Sequence, residues 1–325
     1  MSELEGIPKI AGTDLAVPHN DDATQKTSGD AANPRGAWTA IAAIVAAAVL
    51  WSLNGVLIKF LNDPSSANPI AGVTLAFYRS LLGGLVLLPL AWPARKSVPK
   101  TALPWLIGSC LCFTVMSVSF IVANTKTEAA NAIILQYTSP IWVMLLSPLL
   151  LREAVRRTDF LAMTIAMVGV AIIFAGNGGD RAGLFYALLA GASYGVLTIT
   201  LRGLRGVSSL LVTACNAIGS GLVILPLAAR SSSLWISPEQ IGWILVLGLV
   251  SFTLPYVLFT WGLRRASAVF GALIVLIETI LNPQWTWLFL NETPPPATLL
   301  GAPLILAAVC IKILVERARR RSGVA

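Results

Sequence analysis

Charge is what this sequence lacks most. Only 12% of its 325 residues are Asp, Glu, Lys or Arg, about half the share a soluble domain carries. There is a single histidine, His19, in a polar N-terminal stretch. The four cysteines, Cys110, Cys112, Cys215 and Cys310, lie inside apolar runs with neither CxxC nor zinc-ligand spacing. A metal cluster or a nucleophile–base pair has no residues to be built from, so neither a cofactor nor enzymatic activity is expected. The glycine-rich stretch 176–183 has no Lys-Ser/Thr pair and no preceding strand. It reads as a loop and not as a phosphate cradle, which excludes nucleotide-driven work.

What is abundant is apolar: 56% of residues, with a mean hydropathy of +0.78. In a bilayer the backbone must satisfy its own hydrogen bonds, which leaves helices or closed barrels. A barrel would show segments of alternating polarity. Here the runs are continuous and roughly 20 residues long, the length of a spanning helix. Ten spans are expected, at 38–60, 70–92, 103–123, 128–150, 158–176, 182–202, 209–229, 240–261, 267–289 and 297–315. Residues 1–35, polar and without periodicity, read as a disordered tail. Residues 317–325 form a basic C-terminus.

The net charge of +8 does not point to nucleic acid, because the basic residues sit in short loops between apolar runs. Lys9, Lys26, Arg35, Arg95, Lys96, Lys100, Arg152, Arg156, Arg157, Arg202, Arg205, Arg264, Arg265, Arg317, Arg319, Arg320 and Arg321 fall on one side, 17 in all. The other side holds four: Lys59, Lys126, Arg181 and Arg230. Positive-inside logic puts both termini in the cytoplasm, with a bacterial inner (plasma) membrane as the site.

The chain also repeats itself. Gly84-Leu85-Val86-Leu87-Leu88-Pro89-Leu90-Ala91 matches Gly221-Leu222-Val223-Ile224-Leu225-Pro226-Leu227-Ala228 at seven of eight positions, 137 residues on. At nearly the same offset Phe113-Thr114 meets Phe252-Thr253, and Leu151-Arg152-Glu153 meets Leu290-Asn291-Glu292. Lys59 and Arg202 each follow an aromatic, Trp51 or Tyr194, by eight residues. Five helices per half is an odd number, so the second half must insert upside down. The expected fold is all-α and integral to the membrane. Two inverted five-helix repeats, 38–176 and 182–316, are arranged 5+5 as in alternating-access transporters.

This pattern resembles the drug/metabolite transporter superfamily, specifically its EamA-type members. The residues that carry the likeness are Trp51-Ser52 with Lys59, Tyr78-Arg79, and Ser139-Pro140 followed by Leu151-Arg152-Glu153. The second half answers with Glu278-Thr279 followed by Leu290-Asn291-Glu292. Thr279 stands where the family often has proline, and Pro283 lies one turn on. The resemblance implies export or exchange of small organic metabolites such as amino acids through a cavity lined by both halves. A passive channel or a non-transporting sensor built on the same fold would share these features.

Ionisable groups at membrane depth are functional candidates by default. Arg79 and Glu278 both fall near the midplane. Arg79 keeps its charge and needs an anion: Glu278, a substrate carboxylate or backbone carbonyls. Glu278 can also take up and release a proton, the minimal device for proton coupling. The plain alternative is an interhelical pair that fixes packing. A second group places polar or aromatic side chains within spans: Trp51, Asn54, Asn131, Gln136, Tyr137, Tyr194, Thr198, Tyr256, Trp261 and Asn282. For Asn131 and Gln136 interhelical hydrogen bonding is the competing reading. Trp92, Trp105, Trp243 and Trp261, near span ends, read as interface anchors. Gly191 and Gly195 read as close helix packing. Glu153 is expected to pair locally with Arg156 or Arg157. The partners are thus a small-molecule substrate and the bilayer, and oligomeric state is open.

Overall fold

Among the described residues, seven helices are both long and apolar enough to cross a membrane: Trp38–Ile58, Gly72–Ser97, Lys100–Ala123, Arg181–Gly203, Ser209–Arg230, Pro238–Leu263 and Ala268–Phe289. Ser139–Leu150 and Pro303–Val315 are shorter apolar helices. The computed structural model describes residues 34–61, 70–126, 135–174, 181–231, 234–290 and 296–321. Among these there is no strand. The expected fourth span contributes only Ser139–Leu150 because residues 128–134 fall outside the described residues and its helix is broken at Tyr137–Thr138.

The helices are α1 (Pro34–Ser52), α2 (Asn54–Leu61), α3 (Gly72–Ala91), α4 (Leu103–Lys126), α5 (Ser139–Leu150), α6 (Arg157–Phe174) and α7 (Arg181–Gly203). Then come α8 (Ser209–Ser231), α9 (Pro238–Gly248), α10 (Leu254–Leu263), α11 (Ala268–Val275), α12 (Ile277–Leu290) and α13 (Pro296–Arg321). A π-turn, Leu249–Thr253, joins α9 to α10. Leu85, Val86, Leu145, Leu149, Phe160, Leu161, Leu222 and Val223 point outward. A solvent of hydrocarbon is the reason such a surface is tolerated.

Packing follows a two-fold pattern. The helices that carry the repeated octapeptide, α3 and α8, pack against each other, and α6 packs against α13. The α4–α7 pair is matched by α10–α1, the α5–α7 pair by α12–α1, and the α4–α8 pair by α9–α3. Burial along the octapeptides matches as well. Gly84 and Gly221 are buried, Leu85-Val86 and Leu222-Val223 exposed, Leu87 and Ile224 buried, Ala91 and Ala228 fully buried. The glycines let the two backbones approach, which is how small residues join helices in a membrane. A Cβ added at Gly84 would lie 2.6 Å from Ile218 Cγ1 and 2.9 Å from its backbone nitrogen, and one at Gly221 3.1 Å from Leu81.

The starts and ends of several helices gather at one end of the molecule. Gly262 of α10 lies against Ala40 and Ile44 of α1. Asp159, near the start of α6, accepts from the Arg156 backbone at 3.0 Å and pairs with Lys312 of α13. Both members of that pair are buried, and Lys312 also lies over the Phe270 ring at 5.8 Å. Trp105 is not an interface anchor but buried against Gly203, where the missing Cβ makes room for its ring. Trp92 and Trp243 are exposed as an anchor should be.

Two stability predictions follow from this packing. Gly84→Val should lower the thermal unfolding midpoint of the detergent-purified protein by about 1–3 kcal/mol equivalent, since the opposing atom is backbone and cannot swing away. Lys312→Met should cost about 3–5 kcal/mol by stranding Asp159, and the double change Lys312→Met with Asp159→Leu should recover most of it.

Candidate functional site

Each helix break of this fold sits beside a residue of interest. The first is Leu53, between α1 and α2, flanked by Trp51 and Asn54. Asn54 Nδ2 donates to the Ser251 carbonyl at 3.0 Å. Ser251 belongs to the π-turn, where the regular ladder is interrupted. The Asn54 side chain therefore fills a vacancy in the backbone of a second helix. Its own Oδ1 is buried without a partner.

The π-turn also positions Arg79. Gly248, just ahead of it, packs on the Arg79 backbone, where an added Cβ would lie 3.2 Å from the carbonyl oxygen. Tyr78, the preceding residue, anchors α3 by donating to the Leu234 carbonyl at 2.7 Å. The Arg79 guanidinium lies 4.7 Å above the Phe252 ring, and its Nε is buried with no hydrogen-bond partner. A cation–π contact of this kind contributes about 0.5–2 kcal/mol. Desolvating a cation costs several kcal/mol. The aromatic face alone leaves Arg79 under-satisfied.

An aromatic cluster runs from Phe252 toward the other half. Phe252 and Phe113, counterparts in the repeat, meet at 5.7 Å. Tyr256 packs on Phe252 at 5.3 Å, Phe113 at 4.9 Å and Trp51 at 4.8 Å. Trp51 continues to Phe259 at 5.3 Å and Tyr194 at 6.5 Å. The Tyr256 hydroxyl faces Met116 Sδ at 4.0 Å.

Glu278 closes the constellation. α11 ends at Val275, Leu276 caps it and α12 begins at Ile277, so the carboxyl sits in the first turn of a new helix. Thr279, in place of proline, satisfies the break: its backbone nitrogen and its hydroxyl both donate to the Leu276 carbonyl. The Tyr137 hydroxyl approaches the Glu278 carboxyl as a hydrogen-bond partner, with Tyr194 and Tyr256 within electrostatic range. Tyr137 lies at the equivalent break of the first half, before α5. Tyr256 is in electrostatic range of Arg79 as well. Among the described residues no ion pair joins Arg79 to Glu278. Both side chains are half-buried.

Of the residues singled out from sequence, Trp51, Asn54, Arg79, Tyr137, Tyr194, Tyr256 and Glu278 come together. Gln136 and Asn282 are half-buried, one beside the Tyr137 break and the other one turn beyond Glu278 on α12. Thr198 does not belong: it is buried, and its hydroxyl donates to the Tyr194 carbonyl at 3.0 Å within its own helix. Asn131 lies outside the described residues. Gly191 and Gly195 pack on Leu135, Gln136 and Ser139 at the α5 break, as close packing requires. The sequence reading missed Phe113 and Phe252 as ring contacts of the site, although their duplication marked them.

The EamA-like transporter family matches residues 38–175 and again 181–314. The chain belongs to that family. Among its relatives is the pseudopaline exporter CntI of Pseudomonas aeruginosa, 27% identical over 276 residues that cover 83% of this chain and 93% of the exporter. The S-adenosylmethionine uptake transporter of Rickettsia prowazekii is 24% identical over 280 residues, with the same coverage of 83% and 93%. An uncharacterized transporter of Archaeoglobus fulgidus is 26% identical over 274 residues, 83% of this chain and 94% of its own. A crystal structure with a TM-score of 0.73 and 17% identity covers 86% of this chain and 98% of that one, a likeness of fold. The protein is thus a membrane-embedded transporter.

Asn54→Ala should destabilise this transporter by about 1–3 kcal/mol, because the Ser251 carbonyl is left unpaired away from water. Thermal unfolding in detergent reads it, and Asn54→Gln should not restore the loss if the reach of Nδ2 sets the contact.

Proposed function

We propose that this transporter moves a small organic solute by alternating access, with Arg79 and Glu278 holding opposite ends of the solute. The observation that carries this reading is the state of the two charges. Both are half-buried in the interior of apolar segments, they do not pair with one another, and Tyr256, packed on the Phe252 ring beneath Arg79, is in electrostatic range of both. An arginine without an anion and a carboxyl without a cation are costly in hydrocarbon surroundings unless a ligand completes them. A carboxylate placed at Arg79 would find an unpartnered Nε and the Phe252 face beside it. An ammonium or other cationic group at Glu278 would find the carboxyl together with three tyrosines. S-adenosylmethionine, in the name of one relative, carries groups of both kinds. Such a solute is exported or exchanged.

In this reading the ten helices form two inverted five-helix halves, supported by the matched packing pairs and the matched burial of the octapeptides. Both termini lie in the cytoplasm of an inner-membrane protein, supported by the count of 17 basic residues against four. Glu278 carries the coupling proton when no cationic group occupies it, so that proton and substrate exchange for one another.

Thermal-shift screening of the purified protein tests the site. At a hundred times its dissociation constant a zwitterionic substrate should stabilise by about 2.7 kcal/mol. Its methyl ester and its N-acetyl derivative should each fall short. In Arg79→Gln the preference for the free acid over the ester should vanish, and in Glu278→Gln the preference for the free amine. Equal stabilisation by neutral solutes, or preferences unchanged in both variants, would count against the assignment. In liposomes Glu278→Gln should keep substrate exchange and lose transport driven by a pH gradient.

A further inference from the structure

The π-turn and α10 form one continuous element that is held at both ends. At the far end Arg202 of α7 donates to the Leu263 and Arg264 carbonyls at 2.7 and 2.9 Å and so caps the helix. Arg202 is fixed in turn by Glu153. That residue directs both carboxylate oxygens across the fold, where Arg156 and Arg157 were the expected partners. Oε1 accepts from Arg202 Nε at 2.6 Å and Oε2 from the Ala268 backbone at 3.2 Å. The left-handed backbone at Arg152, with a φ of 55°, turns the chain just past α5. This ion pair gathers the ends of α5, α7, α10 and α11.

At the near end the cause is Pro255, the second residue of α10. It has no N–H for the Ser251 carbonyl four residues back, and its ring crowds that carbonyl. The helix widens there into the π-turn, and Asn54 Nδ2 supplies the missing donor at 3.0 Å. On the other flank Gly83 of α3 lies against the turn, with no room for a Cβ beside Thr253 Oγ1.

The repeat supplies a comparison within the same chain. In the register that sets Phe113 against Phe252, Met116 takes the place of Pro255. In the register that sets Trp51 against Tyr194, Leu197 takes the place of Asn54. Both Met116 and Leu197 are buried. α4 runs unbroken from Leu103 to Lys126 and α7 from Arg181 to Gly203, whereas their counterparts are interrupted at the π-turn and at Leu53. The proline and the side chain that satisfies its break are present together in one helix pair and absent together in the other.

We infer that Asn54 and Pro255 act as one positioning device for Arg79. The proline opens the π-turn, the asparagine holds it open, and the turn so held sets the Phe252 ring 4.7 Å beneath the guanidinium. The role of Arg79 toward a carboxylate rests on the function proposed above. With α10 pinned at Leu263 and Arg264, a change of register at the turn falls on the residues ahead of Pro255. A regular α-turn would rotate them by about 100° and carry Phe252 off Arg79. A break that served packing alone could be replaced by continuous helix with no consequence for that arginine.

The test copies the unbroken helix pair onto the broken one. Asn54→Leu, and the double change Asn54→Leu with Pro255→Met, are made in the full chain and purified in detergent. The probe is phenylglyoxal, which attacks guanidinium groups, and peptide mass spectrometry reads its rate at each arginine. Asn54→Leu leaves the Ser251 carbonyl unpaired and should unfold at a lower temperature than the parent. The double variant regains a backbone N–H at position 255 and should recover most of that loss. In it Arg79 should react about two- to thirtyfold faster, the range set by release of a cation–π contact. Arg95, exposed and 4.0 Å over the Trp92 ring, should keep the parent rate. A double variant no more stable than Asn54→Leu would overturn the pairing of the two residues. Recovered stability with Arg79 at the parent rate would overturn the positioning and leave the break a matter of packing. The preference for acid over ester tests the function separately. If Arg79→Gln leaves it untouched, the role of Arg79 toward substrate falls, and the phenylglyoxal rates still decide whether Asn54 and Pro255 position it.

Discussion

Inside hydrocarbon an unpaired backbone group has no water to turn to, and this constraint governs where the fold can bend. A helix can break only where protein supplies the missing partners. The breaks in this transporter obey that rule. The Ser251 carbonyl in the π-turn is met by Asn54, and the Leu276 carbonyl by both donors of Thr279. All eight residues of α11 are buried. Because breaks must be buried, they lie in the interior, and the side chains beside them face one another. The convergence of Trp51, Tyr137, Tyr256 and Glu278 follows from the need to satisfy the chain.

The two kinds of buried charge in the molecule differ in a way that separates architecture from function. Asp159 and Lys312 complete each other, with a backbone amide and an aromatic ring filling the remaining capacity. They hold α6 against α13 and ask nothing of a ligand. Arg79 has only the face of Phe252, and Glu278 only phenols. Tyr256 is in electrostatic range of both and packs on the Phe252 ring that Arg79 covers. In the function proposed above, a ligand is what completes these two charges.

Much of this was legible in the chain. The absence of charge, the continuous apolar runs and the duplicated octapeptide required a helical membrane protein made of two related halves. They also brought Arg79 and Glu278 forward, since an ionisable residue in an apolar run stands out. The reading was poorest where a side chain serves its own backbone or a distant one. Thr198 was legible as a polar group within a span, yet its hydroxyl turns to the carbonyl four residues back. Trp105 was legible as an aromatic near a span end, yet Gly203 opens a slot for it in the interior. Glu153 was legible as a charge beside two arginines, yet the backbone turn at Arg152 carries it to a third.

What the sequence determined by itself is the solvent, the secondary structure and the duplication. These rest on composition and on neighbours three to eight residues apart, which sequence displays directly. Only the tertiary structure decided that Phe113 meets Phe252, that Tyr256 packs on Trp51 and Phe113, and that one ion pair gathers four helix ends. Such contacts join residues more than a hundred positions apart, or turn on a single left-handed φ. No local pattern encodes them, because they arise from how two halves dock and from which carbonyls a broken helix leaves open.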